Sequence, residues 1–241
     1  MALKVKHEDN FDGPELSLFW TGGHFNRSDE VRMEINKGLI IDFEQGAQYA
    51  SAGVVSKKAI DGDFEAELKF IVKNPVHGST FELAAIQVAP PLKTTIPSLI
   101  ITDAHRVYNV HGSPPYISSE FDECDGWRIG WNYGNKQGGW DANGEWLSDN
   151  SDNEYGESKL GPVTGETSGW LKLSRKNGTE WRVSCRKFDT DDWIEVDSQI
   201  TELLSGPIYL RLVAKHWVKH RIGATIAPAN SVLFSDFKLW N

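Results

Sequence analysis

Trp170-Leu-Lys-Leu-Ser-Arg-Lys176, then Asn177-Gly178, then Thr179-Glu-Trp-Arg-Val-Ser-Cys-Arg-Lys187 is the stretch that decides the fold class. Both flanks alternate apolar and polar residues at a period of two, the pattern of a half-buried strand. Asn-Gly between such flanks predicts a type I′ hairpin, because both central residues of that turn need positive φ. The same alternation puts Trp181, Val183 and Cys185 on one face. That reads Cys185 as a buried thiol in preference to one half of a disulfide with Cys124.

Outward from the hairpin the period of two recurs. Phe64-Glu-Ala-Glu-Leu-Lys-Phe-Ile-Val72 sets Phe64, Ala66, Leu68 and Phe70 on one side. Phe81-Glu-Leu-Ala-Ala-Ile-Gln-Val88 is more uniformly apolar, as an inner strand is. Pro207–Ala214 and Val232–Trp240 complete the set, with one short helix predicted around Thr201–Leu204. No stretch longer than about a dozen residues keeps a helical period. Asp61-Gly62, Pro90-Pro91, Pro114-Pro115, Asn143-Gly144 and Gly161-Pro162 punctuate short strands without forming a linker. These observations predict an all-β protein, a two-sheet antiparallel sandwich spanning residues 1–241 as a single domain. Its longest irregular stretch is a polar loop around residues 135–167, and loops of that length are usually functional or mobile.

A chain of 241 residues suits one undivided β domain. Folding at that size buries roughly 70–75% of the unfolded surface, so no disulfide or metal is required for a core. A net charge of -9 excludes a general nucleic-acid or anionic-membrane binder, since phosphates and lipid headgroups would repel it. No apolar run is fit for a signal peptide or membrane span. Location is cytoplasmic if Met1 is the native start and secreted if a leader was removed.

Chemistry concentrates in Tyr116-Ile-Ser-Ser-Glu-Phe-Asp-Glu-Cys-Asp-Gly-Trp-Arg-Ile-Gly-Trp-Asn-Tyr133, where Glu120, Asp122, Glu123 and Asp125 stand beside Trp127, Trp131 and Tyr133. Carboxylates accept hydroxyl hydrogen bonds and aromatic faces stack on sugar rings. Alternation assigns Trp127 and Ile129 to the core and turns Arg128 and Asn132 to the opposite face. Trp140 and Trp146, in the polar loop, either plug that loop onto the sandwich or stack on a ligand. His105, Tyr108 and His111, and later His216 and His220, read first as plain polar surface beside strands. A second reading makes a histidine a hydrogen-bonding group for a sugar, and a third makes Tyr108 and a histidine the acid and base of a polysaccharide lyase. Their spacing is not that of a zinc site. Asp141–Glu145 and Asp149–Glu154 carry many oxygens without the order of an EF-hand.

Three segments together resemble the concanavalin A-like lectin/glucanase superfamily. They are Asp9-Asn-Phe-Asp-Gly-Pro-Glu-Leu16 with Trp20, Asp61-Gly-Asp-Phe-Glu-Ala-Glu-Leu-Lys-Phe70, and the hairpin at Asn177-Gly178 with the closing Phe234-Ser-Asp-Phe-Lys-Leu-Trp240. The resemblance implies a jelly roll with a concave sheet facing glycans and a structural calcium near Asp12 and Asp236; no other cofactor is required. Glu120-Phe-Asp122-Glu-Cys-Asp125 partly resembles the glucanase signature, which makes Glu120 the nucleophile, Asp122 its tuning residue and Asp125 (or Glu123) the acid/base. The departure is physical. A retaining pair sits about 5–5.5 Å apart, whereas five strand positions span roughly 13–16 Å, and a bulge is needed to bring opposite parities to one face.

The first expectation is therefore a carbohydrate-binding, lectin-like domain whose partner is an oligo- or polysaccharide. Glu120, Asp122, Arg128, Asn132, Trp140 and Trp146 are its contacts, with His105 and Tyr108 alongside. A laminarinase-like glycoside hydrolase is the alternative, and a structural or protein-partner-binding sandwich the second. Whether the chain is an enzyme stays open at this point.

Overall fold

A computed structural model describes residues 3–26, 30–46, 50–74, 79–86, 116–122, 126–132, 139–140, 146–147, 155–160, 168–216 and 229–241. The first strands are β1 (Val5–Asp9), β2 (Trp20–Asn26), β3 (Val31–Ile35), β4 (Leu39–Phe43), β5 (Ala50–Ser56), β6 (Phe64–Lys73) and β7 (Ser79–Ile86). Then come β8 (Tyr116–Asp122), β9 (Gly126–Asn132), β10 (Gly139–Trp140), β11 (Trp146–Leu147) and β12 (Tyr155–Leu160). The chain closes with β13 (Ser168–Lys176), β14 (Glu180–Arg186), β15 (Ile194–Ile200), β16 (Tyr209–His216) and β17 (Asn230–Trp240). A 3-10 turn at Glu202–Leu204 stands where the short helix was expected.

Two antiparallel sheets form a jelly-roll sandwich. Sheet I is eight-stranded, ordered β15-β14-β13-β6-β17-β4-β3 with β1 added to β17. Sheet II is seven-stranded, ordered β12-β9-β8-β7-β16-β5-β2. β10 and β11 form a separate two-stranded ladder in which Trp140 and Trp146 are register partners. β17 pairs with β4 along Asn230–Phe234 and with β1 along Phe237–Trp240. The handover falls at a bulge where Asp236 takes φ +50.

Alternation builds the interior. On β6, Phe64, Ala66, Leu68 and Phe70 are fully buried, and they meet Phe81 of β7, Phe121 of β8 and Trp127 of β9 from the facing sheet. Phe70 and Phe121 lie 4.8 Å apart between centroids, and Phe121 meets Trp127 edge-on at 5.2 Å. Such aromatic pairs add about 0.5–1.5 kcal/mol each beyond their buried area. Every residue of β7 is buried, in keeping with its place between β8 and β16. Cys185 lies in this core as a free thiol, and burial pushes its pKa up to about 12.

The deciding hairpin departs from its simplest form in one respect. Asn177 and Gly178 have φ of 51° and 74°, as a type I′ turn requires. The Thr179 N–H closes the turn on the Lys176 carbonyl at 3.2 Å, yet the strand register resumes at Lys176↔Glu180. Thr179 is the extra residue, and its carbonyl accepts the Thr201 N–H at 3.1 Å. The turn is thereby tied to the chain following β15. Arg175 anchors the same end. Its guanidinium is wholly buried, donates to the carbonyls of Gly62, Leu204 and Gly206, and lies over the rings of Phe64 and Trp181.

Candidate functional site

The outer face of sheet II departs from the usual arrangement of a half-solvated sheet. Phe81, Leu83 and Ala85 of β7, and Ile117 and Phe121 of β8, point into the core. Residues of opposite parity on the central strands therefore face outward. There the register aligns Val213, Glu82, Glu120 and Arg128 in one row across β16, β7, β8 and β9. A neighbouring row runs Arg211, Ala84, Ser118 and Gly130, and a third runs Lys215, Thr80, Asp122 and Gly126.

Glu82 and Glu120 are directly opposite on adjacent strands, an arrangement of like charges that costs free energy unless it is countered. Each carboxylate is countered on both oxygens. Arg211 Nη2 donates to Glu82 Oε2 at 2.9 Å, and Lys215 Nζ holds Glu82 Oε1. Arg128 Nε donates to Glu120 Oε2 at 2.7 Å, and the Ser118 hydroxyl donates to Glu120 Oε1. The guanidinium of Arg211 and the ammonium of Lys215 lie 5.4 and 5.6 Å from the Tyr116 ring centroid. Gly130 makes this packing possible, since a Cβ there would collide with the Glu120 carboxylate and the Ser118 hydroxyl.

The lattice is buried. Relative exposure is 1% for Glu82, 3% for Glu120, 4% for Arg128, 0% for Arg211 and 7% for Lys215. Burial works to raise the Glu120 pKa. The charges of Arg128 and Lys215 and the Ser118 and Arg128 hydrogen bonds outweigh it and hold that carboxyl below its ordinary value. Burial also lowers the Lys215 pKa against the pull of Glu82. At neutral pH Glu120 is an ionised, doubly bonded acceptor. It is not poised to act as a general acid, which needs a raised pKa.

Of the residues singled out in sequence, the structure brings Glu120 and Arg128 together on one face. Trp127 and Ile129 lie in the core, with Trp131 packed against it from the edge. The backbones of Asp122 and Asn132 lie on β8 and β9, but their side chains, like those of Trp140 and Trp146, are outside the described residues. Asp125, Glu123, His105, Tyr108, His111 and His220 are outside them altogether. Asp12 is exposed, and Asp236 accepts the hydroxyl of its neighbour Ser235 at 3.0 Å. Among the described residues no three His, Cys, Asp or Glu side chains gather as a cation requires.

His216 needs a correction. It was expected on the polar surface, but it is the last residue of β16 on the inward parity and is fully buried, edge-on to Phe43 at 5.0 Å. Among the described residues neither ring nitrogen has a hydrogen-bond partner, and burial lowers its pKa to about 4. Sequence reasoning missed Glu82, Arg211 and Lys215. The signal was present: Glu82 is the lone charge in an apolar strand, and Arg211 and Lys215 share parity in another. Only their adjacency makes a site of them.

No family model matches the chain, and no curated protein matches it. Solved structures do. The VIP36 exoplasmic/lumenal domain in its Ca2+/Man3GlcNAc-bound form aligns with a TM-score of 0.56 at 12% identity, covering 99% of this chain and 89% of that one. A Lotus tetragonolobus seed lectin aligns at 0.55 with 11% identity, covering 97% of each chain. A mixed-linkage glucan GH16 from Bacteroides ovatus, in complex with a product, aligns at 0.57 with 9% identity, covering 97% and 99%. The chain has the concanavalin A-like jelly-roll fold, shared by lectins and glycoside hydrolases alike.

Proposed function

We propose that this chain is a non-catalytic carbohydrate-binding domain that holds a saccharide over the outer face of sheet II. The observation carrying this reading is the buried ionic lattice of Glu82, Glu120, Arg128, Arg211 and Lys215. A buried ion pair is seldom more stable than apolar residues of the same volume, though it can fix one packing arrangement. Here it also sets fixed donors and acceptors, the groups that saccharide hydroxyls need, on one sheet face. The lattice is a rigid polar floor; Lys215 and Tyr116, the least enclosed of the group at 7% each, are the side chains on it nearest a ligand. Proteins of this fold bind Man3GlcNAc and a glucan product, as their structures record.

The state of the carboxylates favours binding over cleavage. A retaining hydrolase needs one free nucleophilic carboxylate and one carboxyl of raised pKa. Here both oxygens of Glu120 and of Glu82 are held by fixed donors.

A glycan array followed by calorimetry, run beside a reducing-sugar assay, tests the proposal. Saturable binding without sugar release is expected, weakened on the order of tenfold by Lys215→Met or Tyr116→Ala as a lost hot-spot contact is. Sugar release that Glu120→Gln abolishes would establish the hydrolase instead. Silence in both assays would remove the saccharide.

A further inference from the structure

The open edge of sheet I presents a second surface, unrelated to the ionic face. β3 is its terminal strand, bonded among the described residues to β4 alone. In an antiparallel pair, alternate residues exchange both main-chain hydrogen bonds with their partner. The Glu44 N–H donates to the Glu30 carbonyl at 3.0 Å and the Asn36 N–H to the Gly38 carbonyl at 3.0 Å, so the even-numbered residues of β3 bond β4. The main-chain N–H and C=O groups of Val31, Met33 and Ile35 consequently point to the free edge, and none of them has a hydrogen bond there among the described residues.

Beside those groups lies an apolar slot of about 180 Å³. Pro14, Leu16, Met33 and Ile35 line it, together with the fully buried Leu39. That volume is below the roughly 300–1,000 Å³ of small-molecule sites and suits a single side chain. Glu15 and Glu34 line the same slot, are exposed, and have no ion-pair partner among the described residues, whereas neighbouring Arg32 is taken by Glu44 at 2.8 Å. Two residues beyond Leu16, Leu18 is 89% exposed.

We infer that this edge takes an extended peptide of a partner protein. The peptide adds a strand to β3, lodges one aliphatic side chain in the slot, and carries Lys or Arg on either side of it for Glu15 and Glu34. This is strand addition, with main-chain bonds supplying affinity and the slot supplying specificity. A second copy of β3 fits less well. Its Met33 and Ile35 are already turned into their own core, and both copies carry a net charge of -9.

The test is fluorescence anisotropy with a labelled heptapeptide in which lysines alternate with valines around a central leucine. It is compared with the same peptide bearing glutamates, with a central serine, and with N-methyl groups on the pairing amides. Saturable binding of the basic peptide is expected. Serine or N-methylation should each weaken it about tenfold, the loss of one hot-spot or main-chain register. Glu15→Lys with Glu34→Lys, both at exposed positions, should reverse the preference to the acidic peptide. Equal binding of the acidic or N-methylated peptide to the unaltered protein, or no saturable binding, overturns the inference. So does a dimer in sedimentation that the double lysine variant disperses.

Discussion

The two sheets carry the same kinds of side chain on their outer faces and treat them in opposite ways. On sheet II, Glu82, Glu120, Arg128, Arg211 and Lys215 pair at side-chain exposures between 1 and 9%. On sheet I, Lys172 bonds Glu65 at 2.8 Å, Arg182 bonds Glu195 at 3.2 Å with both about half exposed, and Lys69 bonds Asp189 at 3.0 Å. Sheet I also lays its cations on indoles. Arg186 lies 4.3 and 4.5 Å from the rings of Trp170 and Trp193, and Asp189 accepts the Trp170 indole N–H at 2.8 Å. Exposed pairs such as Arg182–Glu195 contribute roughly 0–1 kcal/mol and are optional for folding. Breaking a buried pair strands a charge and costs far more than the intact pair stabilises. Chemistry of one composition is thus surface finish on one sheet and a committed structure on the other.

The largest effect should come from taking one anion out of the buried lattice. Glu82→Gln leaves Arg211 and Lys215 without their carboxylate, and is expected to cost about 3–5 kcal/mol in urea unfolding. Glu120→Leu combined with Arg128→Met should cost less than Arg128→Met alone, because the double change removes both charges. Equal or additive losses would mean that the pair is not enclosed as described.

Acid is the second lever. His216 has a folded pKa of about 4 against an ordinary 6.5, because burial disfavours its charged form. Between those values the unfolded chain binds more protons, so stability rises with pH there; it is complete above about 6.5 and falls as pH drops towards 4. The difference corresponds to about 3 kcal/mol. The depressed pKa of Glu120 has the same sign, since its contribution is present above the ordinary carboxylate value and is lost as pH falls through the folded one. A His216→Phe variant should flatten the stability profile between pH 4 and 6.5 and leave the Glu120 limb below it.

The smallest effect is expected on sheet I. Arg182→Met, which removes an exposed pair, should change stability by less than about 1 kcal/mol and less still at high salt. A loss as large as that from Glu82→Gln would erase the contrast between the faces.

Much of the fold was legible in the chain. Phe64, Ala66, Leu68 and Phe70 alternate in sequence and are buried together, and Asn177-Gly178 stands at the turn it predicts. Strand alternation is local, set by the backbone pleat, so a single chain displays it. Less of the site was legible. Glu120 and Arg128 were visible because one hairpin carries both. Glu82 lies 38 residues before Glu120, and Lys215 lies 133 residues after Glu82, so no local pattern joins them. His216 misled for the same reason, since polarity suggested a surface position and only parity and neighbours decide burial.

By itself, then, the sequence determined which segments are strands, where the chain turns, and which face of each strand is apolar, because those follow from φ, ψ and a two-residue period. The tertiary structure alone decided that β7 lies between β8 and β16, and so that two glutamates meet three cations across adjacent rows of one enclosed face. It decided likewise that Met33 and Ile35 stand at an edge whose main-chain groups have no partner strand among the described residues. Strand order is a matter of long-range pairing, and the electrostatics of a buried carboxylate depend on neighbours that the order of residues along the chain does not name.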